Sequence, residues 1–137
     1  MIEISKTKTW RTDLTAYVAQ SARKSFRPGE HDCALFVAGA VLSMTGTDLA
    51  QDYRAAYRTL AGGAALLSSL GYESHVDLVA NYFQEVPVSM AQEGDIAAIP
   101  ENGELVLGIV QGPMVYVLRP SGLGLVVLTD AEKVFRV

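Results

Sequence analysis

Cysteine and histidine are scarce in this sequence, which contains one cysteine and two histidines in 137 residues. A single cysteine cannot form an internal disulfide. One cysteine and two histidines do not supply the ligands of an ordinary structural zinc site. We therefore predict neither an internal disulfide nor a bound metal or other cofactor.

Long apolar runs are also absent, since no stretch reaches the roughly 18 to 20 residues that a membrane-spanning helix needs. The first ten residues carry charges and lack the apolar segment of a secretory signal peptide. Half of the residues are hydrophobic and 19% are charged, which excludes a disordered or low-complexity chain. We expect one soluble globular domain over residues 1–137, made in the cytoplasm.

The charge of the chain is unevenly distributed. Residues 1–27 carry a net charge of +4 and residues 28–137 a net charge of −8, which together give −4. An acidic chain of this kind is not a typical nucleic-acid binder. The basic N-terminal part could contact an acidic partner, but a solvated basic surface is the more common explanation of such a segment.

The first two thirds of the sequence predict helices. The run Cys33–Met44 is apolar on every side, which indicates a buried helix with Asp32 as its N-cap and Gly46 after its end. Gly62-Gly63 is expected to break the chain between helices. The first predicted helix begins after Thr12 and ends near Lys24. The other predicted helices cover 33–44, 48–59, 64–70 and 76–83.

After residue 84 the pattern changes to short β-branched segments separated by Gly, Pro and Asn, which predicts strands. The strands are so closely spaced that the sheet must be largely antiparallel. Helices followed by an antiparallel sheet make this an α+β domain, with the 33–44 helix packed centrally on the sheet. The predicted strands cover 94–99, 104–111, 114–118, 123–128 and 133–137.

The residues with the clearest chemical potential are His31-Asp32-Cys33, because they place the only thiol at the first turn of the buried helix. A helix N-terminus favours the thiolate, so we expect a lowered pKa for Cys33. The same backbone N–H groups can stabilise an oxyanion. His31 could accept a proton or donate to the oxyanion, although it could equally hold the preceding loop. A lone cysteine in an apolar run is more often a buried structural residue.

The order of these motifs resembles the NlpC-type branch of the papain-like cysteine hydrolases. That family begins a buried helix with Asp-Cys, as in Asp32-Cys33, and opens its antiparallel sheet with Gly-Asp, as in Gly94-Asp95. Its next strand reads His-Val-Gly-Ile-Tyr, where this chain has 106–110. A following strand ends in a polar residue, often His, and Tyr116 takes that position. The resemblance implies a papain-like fold with Cys33 as nucleophile.

A group of phage and prophage proteins within this superfamily, encoded among tail genes, is similar over nearly the whole chain. This similarity implies a place in the virion at the phage tail, with other tail proteins as partners. The shared segments are Trp10, His31 to Phe36, Thr45 to Leu49, Tyr57-Arg58-Thr59, Gly94-Asp95, Leu107-Gly108-Ile109 and Arg136-Val137.

The sequence departs from the enzyme pattern at the base, because the family's histidine corresponds to Val106. Tyr116 is a poor replacement for a base with a near-neutral pKa. Only His31 and, with less support, His75 remain to deprotonate the thiol. Since alternate strand residues share a face, Val106, Gly108 and Val110 should point one way, and we expect Val106 beside Cys33.

Two functions therefore remain open. In the first, the chain is a cysteine hydrolase that cuts a peptide bond of peptidoglycan during phage entry, using Cys33, His31 and Tyr116. In the second, the fold is a catalytically inactive structural or docking component of the tail tip. The apolar residue at 106 predicts no measurable hydrolysis by the isolated chain and at best slow activity in the assembled particle.

Overall fold

The computed structural model describes residues 3–137 as four helices and a six-stranded antiparallel sheet. The α+β class and the order of helices before sheet are therefore confirmed. Within 3–137 no helix is long and apolar enough to cross a membrane. The helices are α1 (Trp10–Ser21), α2 (Cys33–Thr45), α3 (Leu60–Ser69) and α4 (His75–Tyr82); the strands are β1 (Glu85–Val86), β2 (Ile96–Glu101), β3 (Glu104–Val110), β4 (Met114–Arg119), β5 (Gly122–Val127) and β6 (Lys133–Phe135).

Helix α2 forms where the sequence predicts it and is the centre of the helical layer. Its N-cap Asp32 accepts a hydrogen bond from the backbone N–H of Leu35, and Gly46 ends the helix in the left-handed conformation. The helix packs against α1 and against the sheet, and Phe36 is completely buried. The apolar surface thus corresponds to burial by neighbouring layers over most of the helix, although Leu42 is exposed.

Helix α1 begins earlier than predicted, at Trp10 rather than after Thr12, and ends at Ser21. The hydroxyl of Thr9 donates to the Asp13 carboxylate at 2.8 Å, which stabilises the earlier start. The α1 side chain of Tyr17 lies against Gly39, where a Cβ atom would be 2.1 Å from its hydroxyl oxygen. The absence of a side chain at Gly39 therefore lets α1 lie directly on α2.

The helix predicted at 48–59 is wrong, because this segment forms successive turns. Asp48 accepts from the backbone N–H of Ala50 and pairs with Arg54, while Ala55 has a positive φ of 58° that an α-helix cannot contain. The Ala55 N–H donates to the carbonyl of Gly29 at 2.8 Å. A long-range contact with the loop before α2 thus overrides the local helical pattern.

The expected break at Gly62-Gly63 is also wrong, since both residues lie in the first turn of α3. Thr59 caps this helix and accepts from the backbone N–H of Gly62. At Gly63 a Cβ atom would come within 2.9 Å of the Tyr57 ring. The glycine is therefore used for close packing rather than to end a helix. The prediction at 76–83 is confirmed to within one residue as α4.

The five predicted strands are confirmed with boundaries within two residues, and the short β1 is an additional edge strand. The order across the sheet is β1-β6-β2-β3-β4-β5, and each neighbouring pair is antiparallel. The two-residue connection Asn102-Gly103 has positive φ at both positions, as a tight hairpin between β2 and β3 requires. Strands β2 to β5 are thus neighbours in chain order, while β6 returns to lie between β1 and β2, and the predicted antiparallel pairing is confirmed.

Each face of the sheet has its own apolar core. Leu107 and Ile109 of β3 face the helices and pack with residues of α1, α2 and α4. Val106 and Val110 belong to the core on the opposite face, together with Ile99 and Val117. The alternation predicted along β3 is therefore confirmed, with the odd-numbered residues facing α2.

Candidate functional site

The site is built around the N-terminus of α2, where Asp32 precedes Cys33. The Asp32 side chain is buried and accepts from the backbone N–H groups of Leu35 and Gly29, both at 3.0 Å. The hydroxyl of Tyr57 also donates to this carboxylate. Three neutral donors therefore hold Asp32 beside the thiol, and none of these hydrogen bonds comes from a cationic side chain.

The Cys33 thiol is largely buried, and this reverses the predicted shift of its pKa. Burial and the neighbouring Asp32 carboxylate raise the pKa of Cys33 to about 11. The backbone amides of Ala34, Leu107 and Cys33 itself act in the opposite direction. The helix-end amides are thus present as expected, but desolvation exceeds their effect and Cys33 is a neutral thiol at pH 7.

His31 lies in the loop before α2 and is directed toward α1. Its Nε2 is 3.2 Å from the Ser21 carbonyl oxygen, which only accepts, so this nitrogen carries the hydrogen. The backbone of His31 exchanges two hydrogen bonds of 2.8 Å with Arg27. His31 is buried, and burial lowers its pKa. These contacts correspond to the loop-holding role that the sequence left open for His31.

His75, the first residue of α4, shares a groove with Cys33. Burial lowers the pKa of His75, while the Asp32 carboxylate partly opposes that shift. The imidazole is therefore neutral at pH 7 and able to accept a proton. Sequence reasoning gave this histidine less weight than His31, because His75 lies at the predicted start of a helix, where an exposed or capping role is the more common one.

The groove has a volume of about 1060 Å³ and extends from Cys33 to the end of the sheet. Its charged lining consists of Glu73, Glu101, Glu104 and Arg119. Arg119 forms an ion pair with Glu101, so the remaining carboxylates of Glu73 and Glu104 give the groove a negative character. Among residues 3–137, no three His, Cys, Asp or Glu side chains are grouped closely enough to hold a metal ion.

Val106 and Tyr116 are not placed as the motif alignment implies. Val106 also lines the groove, but its side chain packs in the core on the face away from α2. The β3 residue that meets the thiol is Leu107, whose backbone amide faces the sulfur. Tyr116 packs against the helix-side core and lies outside the groove lining.

Tyr57 is the site residue that sequence reasoning missed. The spacing of Tyr53 and Tyr57 indicates only a helical stripe, and the predicted helix does not form. Instead the turns of 48–59 bring the Tyr57 hydroxyl to Asp32. Burial and then this hydrogen bond raise the pKa of Tyr57, so it remains a donor. In the sequence analysis only the resemblance that includes the segment Tyr57-Arg58-Thr59 marked this residue.

The second predicted motif, Gly94-Asp95, has a clearly different environment. Asp95 is completely buried and accepts from the backbone N–H groups of Gln92 and Val137 and from Nε of Arg136, at 2.9, 3.2 and 3.1 Å. Gly94 has φ of +89° and lies against Met44, where a Cβ atom would be 2.9 Å from the sulfur. This motif therefore joins the start of β2 to the C-terminal residues and lies outside the groove lining.

Comparison with known proteins places the chain in a family without assigning an activity. No curated protein sequence matches it. The family model DUF6950, described as a domain of unknown function, matches residues 5–137. That span contains Cys33, His75, Asp95 and all of the elements described above, and the chain belongs to the DUF6950 family.

Proposed function

We propose that this chain is a phage tail-associated cysteine hydrolase of the NlpC-like, papain-like type, which cleaves a peptide bond of peptidoglycan at the tail tip during host entry. The observation that carries the proposal is the single groove lined by Cys33 and His75. The tail location and the papain-like fold rest on the order of sequence motifs. Other tail proteins would be its partners.

In the proposed reaction, the Cys33 sulfur attacks the substrate carbonyl while its proton passes to His75. Because the pKa of Cys33 is raised and that of His75 is lowered, the resting pair is a neutral thiol and a neutral imidazole, and the proton would leave the sulfur only as the carbonyl is attacked. The C–N bond then breaks as His75 returns the proton to the amine. Water cleaves the thioester with His75 as base, which releases the acid and restores the thiol.

The backbone amides at the start of α2 would stabilise the oxyanion in this reaction. Asp32 would keep the helix terminus in place through its bond to Leu35 N–H, and Tyr57 would hold Asp32. His31, which bonds to the Ser21 carbonyl, would position the loop that precedes the helix.

The second candidate is the catalytically inactive docking component, and the state of the thiol favours it. A pKa of about 11 leaves little thiolate at neutral pH. Among residues 3–137, no side-chain hydrogen bond joins Cys33 to a histidine. The groove would then hold a segment of a neighbouring tail protein without reacting with it.

Release of soluble fragments from purified cell walls tests the two candidates, using the isolated chain and phage particles that carry it. We expect no release by the isolated chain and slow release by particles. Cys33→Ala should abolish that release, and His75→Gln should lower it by a factor of about 10² or more. His31→Asn and the matched surface control Glu132→Gln should retain most activity. Equal release by particles with Cys33→Ala would overturn the hydrolase proposal in favour of docking.

A further inference from the structure

The sheet is interrupted between β3 and β4. Strands β2 and β3 pair at six positions and β4 and β5 at six, but β3 and β4 pair only at Ile109↔Tyr116 and Val110↔Val115. At Gly108 the strands are very close, since a Cβ atom there would lie 2.6 Å from the Tyr116 carbonyl oxygen. Beyond this point 104–107 of β3 and 117–119 of β4 form no strand pairs with each other, and residues of both segments line the groove.

The two unpaired segments, 104–107 and 117–119, form what we call the slot. All of its residues line the groove with Cys33 and His75, apart from Leu107, which supplies the backbone amide that faces the Cys33 sulfur. Both strands are paired on their outer sides, β3 with β2 and β4 with β5. The slot therefore has a strand backbone on each side and no strand between them.

We propose that the slot binds a short extended peptide, which adds as a strand between β3 and β4 and directs an ammonium-bearing side chain to Glu73 and Glu104. Backbone N–H and C=O groups of a strand need partners, and an added strand supplies them. The inference rests on the proposed function for the source of that peptide, a stem peptide of the cell wall, and goes beyond it in naming the binding mode and charge.

The length of the slot determines the size of its occupant. Four residues of β3 extend about 13 Å, which accommodates a peptide of three or four residues. The Arg119–Glu101 ion pair joins the end of β4 to the β2–β3 hairpin, and Pro120 follows directly. A short peptide suits a slot closed in this way better than a long strand of a folded partner.

The charge of the groove determines which side chain the peptide carries. With Arg119 paired to Glu101, Glu73 and Glu104 remain as carboxylates in the lining. A cationic side chain is attracted to them and an anionic one repelled. The expected ligand class is therefore an extended peptide with a lysine-like amine rather than an acidic peptide.

Hydrogen exchange of the full chain carrying Cys33→Ala, which prevents turnover, locates the peptide. The probe is acetyl-Ala-Lys-Ala-Ala-amide, with acetyl-Ala-Glu-Ala-Ala-amide and a backbone N-methylated Lys peptide as controls. We expect the Lys peptide to slow exchange in 104–107 and 117–119 and to leave the free edge of β5 unchanged. N-methylation should weaken binding about tenfold.

Binding titrations with matched variants test the charge preference. Glu104→Gln and Glu73→Gln should each weaken the Lys peptide about threefold, as expected for partly exposed ion pairs, while Glu132→Gln should change nothing. Equal affinity for the Lys and Glu peptides, no binding, or protection at the β5 edge would each overturn the inference. Cell-wall hydrolysis without protection of the slot would remove this inference and leave the proposed function. Protection of the slot by the peptide, in a chain that never hydrolyses cell walls, would remove the proposed function and leave this inference.

Discussion

The two buried aspartates of the sequence motifs, Asp32 and Asp95, differ in the charge that surrounds them. Asp95 accepts a hydrogen bond from the Arg136 guanidinium and has a compensated charge. Asp32 accepts only from two backbone amides and the Tyr57 hydroxyl. Asp32 is 2% exposed and Asp95 is 0% exposed, so burial does not distinguish them.

This difference separates a structural carboxylate from one that acts on its neighbours. Among residues 3–137, the Asp32 charge acts to raise the pKa values of Cys33, Tyr57, His31 and His75, whereas Asp95 acts only on the pKa of Lys6. An ion pair with arginine limits the field of a buried carboxylate, while neutral donors leave it directed at the nearby groups. Asp32, which has no cationic partner, is therefore the carboxylate that shifts the pKa values of the site residues.

The largest expected effect is on stability. Asp95→Ala leaves Arg136 without its buried partner and frees two backbone N–H groups, so we expect a loss of about 4 kcal/mol in the free energy of unfolding. Asp32→Ala removes a helix cap and should cost about 2 kcal/mol. Urea unfolding measures both. The exposed pair Arg11–Glu93 supplies the control, since Glu93→Gln should cost about 0.5 kcal/mol or less. A larger loss of unfolding free energy for Asp32→Ala than for Asp95→Ala would contradict the assignment of Asp95 as the structural carboxylate.

The next expected effect is on the thiol. Asn at position 32 still caps α2 but carries no charge, so Asp32→Asn should lower the pKa of Cys33 from about 11. The rate of alkylation by iodoacetamide as a function of pH measures this, and its midpoint should move to lower pH. Asp95→Asn, if folded, should leave the midpoint unchanged. An unchanged midpoint in Asp32→Asn would show that desolvation alone raises the pKa of the Cys33 thiol.

The smallest expected effect is the pH dependence of stability that comes from His75. Its pKa in the folded chain lies below the ordinary value, so the unfolded chain takes up the proton first as the pH falls. The contribution is complete above about pH 6.5 and is lost as the pH falls below that value. His31 acts in the same direction. Urea unfolding at pH 7 and pH 5 should therefore show a smaller loss for His75→Gln than for the unsubstituted chain.

Asp32 enters this pH dependence because its charge raises the pKa of His75. With Asp32→Asn, the lowered pKa of His75 should fall further and the loss of stability should extend to lower pH. A cycle of Asp32→Asn, His75→Gln and the double variant separates this coupling from the titration of other groups. A cycle with zero coupling would contradict an electrostatic contact between Asp32 and His75.

Local patterns predicted most of the fold and only part of the site. The caps of α2, the strands of the sheet and the Asn102-Gly103 hairpin depend on neighbouring residues, so the sequence indicates them directly. The turns of 48–59 and the proximity of Tyr57 to Asp32 depend on contacts between distant segments. The face of β3 was misassigned at Val106 because alternation fixes which residues share a face but not which face meets α2.

The contact between Tyr17 and Gly39 has a consequence for the geometry of catalysis or binding. The Tyr17 hydroxyl donates to the Phe36 carbonyl at 2.8 Å while its ring occupies the space above Gly39. This contact fixes the position of α1 along the axis of α2. Six residues separate Gly39 from Cys33, about 9 Å along the helix. The position of Cys33 at the start of α2 therefore depends on a contact nearly two turns away, made by a tyrosine that does not line the groove.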